Sequence, residues 1–150
     1  MKISIITVSY NSDKTIETTF KSLSEQSYDD IEYIVIDGGS TDNTLNIIEK
    51  YSEIITILVS EQDNGINLAT GDVIGLINSD DLFCDPDALN KVAKVFKKNK
   101  KLDSVYADLY YVSKYNINKI IRSWVTGHQR EFKYGWHPAH PTFYIKKCVY

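Results

Sequence analysis

Two adjacent carboxylates, Asp80 and Asp81, stand just after the apolar run Val73 to Ile77, preceded by Asn78-Ser79. Like charges side by side where a chain leaves a hydrophobic segment are costly unless a cation or hydrogen-bond donors compensate them. A divalent ion would do so, because magnesium and manganese prefer carboxylate oxygens and commonly bridge to substrate phosphates. The plainer alternative is that one of the pair caps the coming turn. Two further polar clusters, Ser9-Tyr10-Asn11 and Asp37-Gly38-Gly39-Ser40-Thr41-Asp42, end apolar, β-branched runs in the same way. Asn, Asp, Gly and Ser after a strand are ordinary turn residues, so no cluster is diagnostic by itself. All three at strand ends of one parallel sheet would share the edge where such sheets bind ligands. At that edge Asp37, beside two glycines that admit close approach, can accept a hydrogen bond from a base or ribose. Tyr10 offers an aromatic face to the same ligand, although in a chain with eleven tyrosines a lone one more often serves packing.

Placing these groups together requires strands alternating with helices. Ile3 to Val8 reads as a strand buried on both faces. Ser12 or Asp13 can cap a helix with Ile16, Phe20 and Leu23 at i, i+4 and i+7. Ile31 to Ile36 is a second strand, followed by a helix from Ser40 or Thr41 with Asp42 in its first turn and Leu45, Ile48 and Tyr51 on one face. Ile54 to Val59 and Val73 to Ile77 are the third and fourth strands. Asp85-Pro86 opens a helix presenting Leu89, Val92 and Phe96, with lysines at its negative pole. This alternation predicts an α/β fold, a mostly parallel sheet with helices on both faces. After Asp103 the pattern becomes antiparallel: strands Ser104 to Tyr110, Tyr111 to Asn116 and Lys119 to Val125, a turn at Asn116-Ile117-Asn118, a loop from Thr126 to Gly135, and a strand at Thr142 to Ile145. One stretch does not fit. Ser60 to Asp72 is barely long enough for a parallel crossover, and with Asn64-Gly65 read as a turn only a helical stub remains at Asn67 to Thr70. Residues are therefore expected to be missing near Ile66-Asn67.

A chain of 150 residues is one ordinary domain, able to bury roughly 70% of its unfolded surface. With 43% apolar and 25% charged residues, neither a disordered nor a fibrous protein is indicated. The net charge of −3 argues against wholesale polyanion binding, and Lys97, Lys98, Lys100 and Lys101 read as a solvated helix end, so no nucleic-acid partner is expected. Cys84 and Cys148 lack metal-ligand spacing and suit a reduced, intracellular setting, with one disulfide between them as the alternative. No signal peptide or membrane span is expected. His137 and His140 have no third ligand at zinc-site spacing. Ser9-Tyr10-Asn11 in place of a G-x-G-x-x-G turn argues against a dinucleotide-dependent oxidoreductase. The absence of a glycine- and arginine-rich loop after the first strand argues against a nucleotidyltransferase.

The motifs Ile5-Ile6-Thr7-Val8-Ser9-Tyr10-Asn11, Ile36-Asp37-Gly38-Gly39-Ser40-Thr41-Asp42, Ala69-Thr70-Gly71-Asp72 and Asn78-Ser79-Asp80-Asp81 resemble, in order and combination, the inverting family-two glycosyltransferases of GT-A fold. The resemblance spans nearly the whole chain. It implies a single GT-A-like domain with a nucleotide-binding half over 1–102 and the start of an acceptor-side half over 103–150. It implies transfer of a sugar, with inversion, from a nucleoside diphosphate sugar to a saccharide or lipid-linked acceptor, in surface polysaccharide synthesis. Val8, Ser9, Tyr10, Asn11, Asp37, Gly38 and Asp80 would surround the nucleotide sugar, and Asp81, with Asp80, would hold magnesium or manganese. His140, in Trp136-His137-Pro138-Ala139-His140-Pro141, would face the reaction centre from the acceptor side. By the same resemblance no catalytic base lies within the chain: it is expected on an acidic segment beyond Tyr150, making the chain truncated. The setting would be the cytoplasm, with peripheral association at the inner membrane face. Two departures stand out. A second acidic residue common in the family is replaced by Gly38, and a helical segment between the positions of Gly65 and Ala69 is absent. A non-catalytic nucleotide-sugar-binding module is the competing reading, and the oligomeric state is left open.

Overall fold

A computed structural model describes residues 1–60, 65–129, 131, 133 and 135–150, with the side chains of residues 65 and 66 excepted. The strands are β1 (Ile3–Ser9), β2 (Ile31–Asp37), β3 (Ile57–Val59), β4 (Val73–Leu76), β5 (Ser104–Val105), β6 (Leu109–Ser113), β7 (Asn116–Trp124) and β8 (Tyr144–Lys146). The α-helices are α1 (Ile16–Ser24), α2 (Thr44–Lys50) and α3 (Ala88–Lys98). One six-stranded sheet has the order β3-β2-β1-β4-β8-β5, and β6 and β7 form a separate hairpin. β3, β2, β1 and β4 run parallel, whereas β8 is antiparallel to both β4 and β5. The chain leaves β1 for β2 on one side and returns to β4 on the other, so the order of connection reverses between β1 and β4.

Alternation along the strands divides the core. Ile3, Ile5, Tyr33, Val35 and Val73 form one cluster with Ile16, Phe20 and Leu23 of α1, Ile47 and Ile48 of α2, and Leu89, Ala93 and Phe96 of α3. Each fully buried side chain of this size contributes about 1.5–3 kcal/mol. The residues between them, Ile6, Ile34, Ile36 and Ile74, pack beneath Leu68 and Ala69 of the crossover. All three α-helices thus contribute to one core cluster. Among the described residues, the other cluster is closed by the crossover and by Ile145.

A buried carboxylate anchors the crossover at the amino-terminal edge of the sheet. Glu32 accepts hydrogen bonds from Ser4 Oγ (2.5 Å), Thr70 N (2.6 Å) and the Thr70 hydroxyl. Gly71 N donates back to Ser4 Oγ at 2.9 Å. A Cβ at Gly71 would stand 2.6 Å from Ser4 Oγ and 2.7 Å from Ser4 N, so the close approach needs glycine. Burial pushes the Glu32 carboxyl up, but the bonds from Ser4 and Thr70 and the nearby Lys2 outweigh it, leaving the pKa below its ordinary value. Ala69-Thr70-Gly71-Asp72 therefore serves the scaffold, at the edge opposite the strand-end clusters.

Several element boundaries differ from the sequence expectation. The third strand begins at Ile57 because Tyr51 to Ile55 continue α2 as turns, with Ile54 N donating to Tyr51 O and Ile55 N to Ser52 O. α2 starts at Thr44, since Asp42 Oδ1 accepts Thr44 N (2.9 Å) and holds the preceding residues as a turn. Leu45 is exposed, and Ile47 joins Ile48 in the core instead. α1 starts at Ile16, where Ser12 supplies its backbone carbonyl to Thr15 N and Ile16 N rather than a side-chain cap. α3 starts at Ala88: Asp85 Oδ1 binds Asp87 N, and the Pro86 carbonyl is taken by Ser27 N. The hairpin turn lies at Lys114-Tyr115, not at Asn116-Ile117-Asn118, which opens β7. Tyr110 and Tyr111, expected in different strands, are consecutive in β6. Among its described residues the crossover contains one 3-10 turn, Gly65–Leu68, where the sequence suggests a stub from Asn67 to Thr70. Asn64 of the expected Asn64-Gly65 turn lies outside the described residues.

Candidate functional site

The three polar clusters come together at the carboxyl-terminal edge of the parallel strands, around the reversal between β1 and β4. Ser9 and Asp37 are register partners at the ends of β1 and β2. Asp37 is 0% exposed, and its carboxylate takes hydrogen bonds from Ser9 Oγ (3.1 Å), Gly39 N (3.0 Å), Ser40 N (2.8 Å) and Ser40 Oγ (2.5 Å). A carboxylate with this donor set fixes a loop. Gly39 completes the turn at φ +83°, a conformation costly for any residue with a Cβ. Gly38 N donates to Ser9 O at 2.8 Å, which holds the exposed Gly38 beside the end of β1.

Asn11 locks the first loop to the second. It sits at φ 48°, a region asparagine tolerates better than most residues. Its backbone N donates to Ser40 Oγ (2.9 Å), and its Oδ1 accepts Thr41 N (2.9 Å). Tyr10, between these fixed neighbours, is 64% exposed, so its ring is free to meet a ligand. Val8 is 56% exposed although it lies in the central strand. Ser12 extends the network: its N donates to Thr44 Oγ1 (2.8 Å), and its hydroxyl bonds Ser79 Oγ (2.8 Å), bridging the reversal.

Asp80 is exposed and Asp81 half-buried in the third cluster. Asn78 Nδ2 donates to Asp81 Oδ2 (2.7 Å), Asp81 N donates to Asn78 O (3.1 Å), and Thr19 Oγ1 of α1 holds the Asp81 carbonyl (2.7 Å). Burial raises the Asp81 pKa, Asn78 opposes that rise, and the Asp80 charge adds to it. His140 is near enough to Asp81 to pull its pKa the other way. It stands exposed in the 3-10 turn His140–Thr142, which leads into β8 beside β4. His137 instead stacks edge-on against Trp124 at 5.2 Å.

Among the described residues no group of three or more His, Cys, Asp or Glu side chains is placed to hold a metal. Asp80 and Asp81 still fit a hard divalent ion, whose remaining positions would be filled by water and phosphate oxygens. An open cleft of about 430 Å³, lined by Tyr106, Ala107, Asp108, Val125, Gly127 and His128, lies at the base of the β6–β7 hairpin. It adjoins the His140 turn, because Thr142 Oγ1 donates to Ala107 O at 2.8 Å.

Ser12, Ser40, Thr41, Thr44 and Asn78 were not singled out as individual site residues from sequence. Asn78 carried a signal, since an amide three residues before a carboxylate can close a turn on it. The others are short hydroxyl side chains whose bonds between clusters reach partners 29 to 67 positions away.

The architecture is that of the GT-A nucleotide-sugar enzymes, with its polar edge at the reversal point. A sequence profile described as glycosyl transferase family 2 matches residues 4–147, and the chain belongs to that family. It is 30% identical over 121 residues to the Escherichia coli UDP-Glc:alpha-D-GlcNAc-diphosphoundecaprenol beta-1,3-glucosyltransferase WfaP, covering 75% of this chain and 47% of that one. Residues 1–349 of S. aureus TarS in complex with UDP superpose with a TM-score of 0.75 at 21% identity, covering 99% of this chain and 48% of that one. A Pyrobaculum calidifontis mannosyltransferase in complex with GDP-Man and Mn2+ superposes at TM-score 0.63 and 22% identity, over 77% of this chain and 38% of that one. The chain spans less than half the length of the curated relatives it matches, from 12% of the Pasteurella multocida chondroitin synthase to 47% of WfaP.

Proposed function

We propose that this chain is the donor-binding part of an inverting glycosyltransferase that takes a UDP-sugar with a divalent cation. The observation carrying this reading is the joining of the three strand-end clusters across the β1/β4 reversal, through Ser9–Asp37, Asn11–Thr41 and Ser12–Ser79. Asp37 works by organising the Gly38-Gly39-Ser40 turn, so the exposed Gly38 backbone and the Tyr10 ring form the surface offered to the nucleotide. Asp80 and Asp81 hold the cation, which when bound supplies charge stabilisation for the leaving diphosphate. His140 faces the same region from the acceptor side. UDP is favoured over other nucleotides because the TarS structure holds UDP and WfaP is named for a UDP-sugar. WfaP is also named for a diphosphoundecaprenol acceptor, which supports a lipid-linked acceptor here and a place at the inner membrane face in polysaccharide synthesis.

The test is UDP release from a panel of UDP-sugars with manganese, for the longest chain containing this sequence and for its Asp81→Ala variant. Manganese-dependent release that disappears in Asp81→Ala is the expected result. Donor binding without release under any acceptor would favour the non-catalytic module.

A further inference from the structure

Among the described residues, the β6–β7 hairpin forms its own two-stranded sheet, apart from the six-stranded one. Eight of the nine residues of β7 are exposed. Its apolar groups are large: Tyr115 is 86% exposed and Ile121 68%, and Tyr110, Tyr111, Ile117 and Ile120 are exposed too. The segment Leu109 to Trp124 contains Lys114, Lys119 and Arg122 and no acidic residue, in a chain whose net charge is −3. Two of these cations lie against aromatic rings, Lys114 Nζ 4.9 Å from the Tyr115 ring centre and the Arg122 guanidinium 5.5 Å from that of Tyr111. Tyrosine, isoleucine and cation are thus mixed on one exposed element.

From this we infer that the hairpin is a membrane-docking element that inserts its tyrosines and isoleucines into the headgroup region of an anionic bilayer. Tyrosine rings favour the membrane interface, and basic residues near an anionic leaflet each strengthen binding about fivefold, so three give on the order of a hundredfold. A second copy of the chain is the poorer occupant, because an isologous contact through this hairpin brings its cations towards their own copies. The hairpin is also coupled to the acceptor side. Trp124 at the end of β7 meets His137, Trp136 Nε1 donates to Thr126 O at 3.3 Å, and the same segment continues to His140. Docking would therefore hold the His140 turn close to the lipid surface.

This inference rests on the lipid-linked-acceptor part of the proposed function, and the assay contains no donor, so UDP binding remains a separate measurement. The chain is co-sedimented with phosphatidylcholine vesicles and with vesicles containing phosphatidylglycerol. Lys114→Glu/Lys119→Glu and Tyr115→Ser/Ile121→Ser are run beside it. The expected result is binding to the anionic vesicles only, weakened by salt, reduced more than tenfold by the charge reversals and severalfold by the serine variant. All substituted side chains are exposed, so circular dichroism and UDP affinity should match the parent. Absence of anionic-vesicle binding, or variants that bind like the parent, would overturn the inference. So would concentration-dependent dimerisation abolished by Tyr115→Ser/Ile121→Ser, which would assign the hairpin to a second copy.

Discussion

Replacing Asp37 by Asn separates a loop-fixing carboxylate from one that touches the ligand. The substitution keeps the shape of the side chain but turns one acceptor oxygen into an NH2 group. That group must face either Gly39 N and Ser40 N or the hydroxyls of Ser9 and Ser40, all of which now point donors at Asp37. The hydroxyls can rotate and become acceptors; the two backbone groups cannot. The amide therefore turns its oxygen to Gly39 N and Ser40 N and its NH2 to the hydroxyls, and the bonds fall from charge-assisted (about 1.5–3 kcal/mol each) to neutral (about 0.5–1.5 kcal/mol each); with water recovering part at Gly39 and Ser40, the total is about 3 kcal/mol. That is a large share of the 5–15 kcal/mol typical of a whole domain. Urea unfolding of parent and variant measures it directly, and UDP titration of both follows the site. Stability and UDP affinity should fall together. A variant within about 0.5 kcal/mol of the parent, the scatter expected of a surface change, yet unable to bind UDP would refute the argument and make Asp37 a direct ligand contact.

Two further predictions concern the opposite edge of the sheet. Glu32 has its pKa lowered in the folded protein, so its contribution is complete above the unfolded value of about 4.3 and is lost as pH falls through the folded value. In Glu32→Gln, denaturant midpoints should be lower than the parent's at neutral pH, and the difference should shrink as the pH falls below about 4.3; an undiminished difference at acid pH would contradict the assignment. Gly71→Ala should cost about 1–3 kcal/mol through its overlap with Ser4, with UDP affinity per folded molecule unchanged, as read by urea unfolding alongside titration.

Much of this architecture was legible because the signals were local. The runs Ile3 to Val8, Ile31 to Ile36 and Val73 to Ile77 mark β1, β2 and β4 closely, since continuous β-branched segments suit strands covered on both faces. Helix starts were harder. Asp42 and Asp85 both use their carboxylates in turns before the helix, and a side chain that can cap can equally delay. The Asn116-Ile117-Asn118 turn was misplaced because asparagine favours turns in general, whereas pairing of Ser113 with Asn116 puts Lys114-Tyr115 at the tip. At the site, residue types identified Tyr10, Asn11, Asp37, Asp80 and Asp81 as polar groups at strand ends. What sequence could not supply was the accessibility of each. Asp37 and Asp80 look alike on paper, yet one is fully buried under four donors and the other faces solvent. Nor could spacing reveal that Ser12 and Ser79 meet, because that bond depends on β4 lying beside β1.

The central claim is that the Asp80-Asp81 edge binds a nucleoside diphosphate through a divalent cation. Calorimetric titration of UDP into the chain and into Asp81→Ala, each with and without manganese, tests it most directly. The account predicts binding for the parent with manganese, and at least tenfold weaker binding when either the metal or the Asp81 carboxylate is removed. UDP binding of equal strength in all four titrations would contradict it.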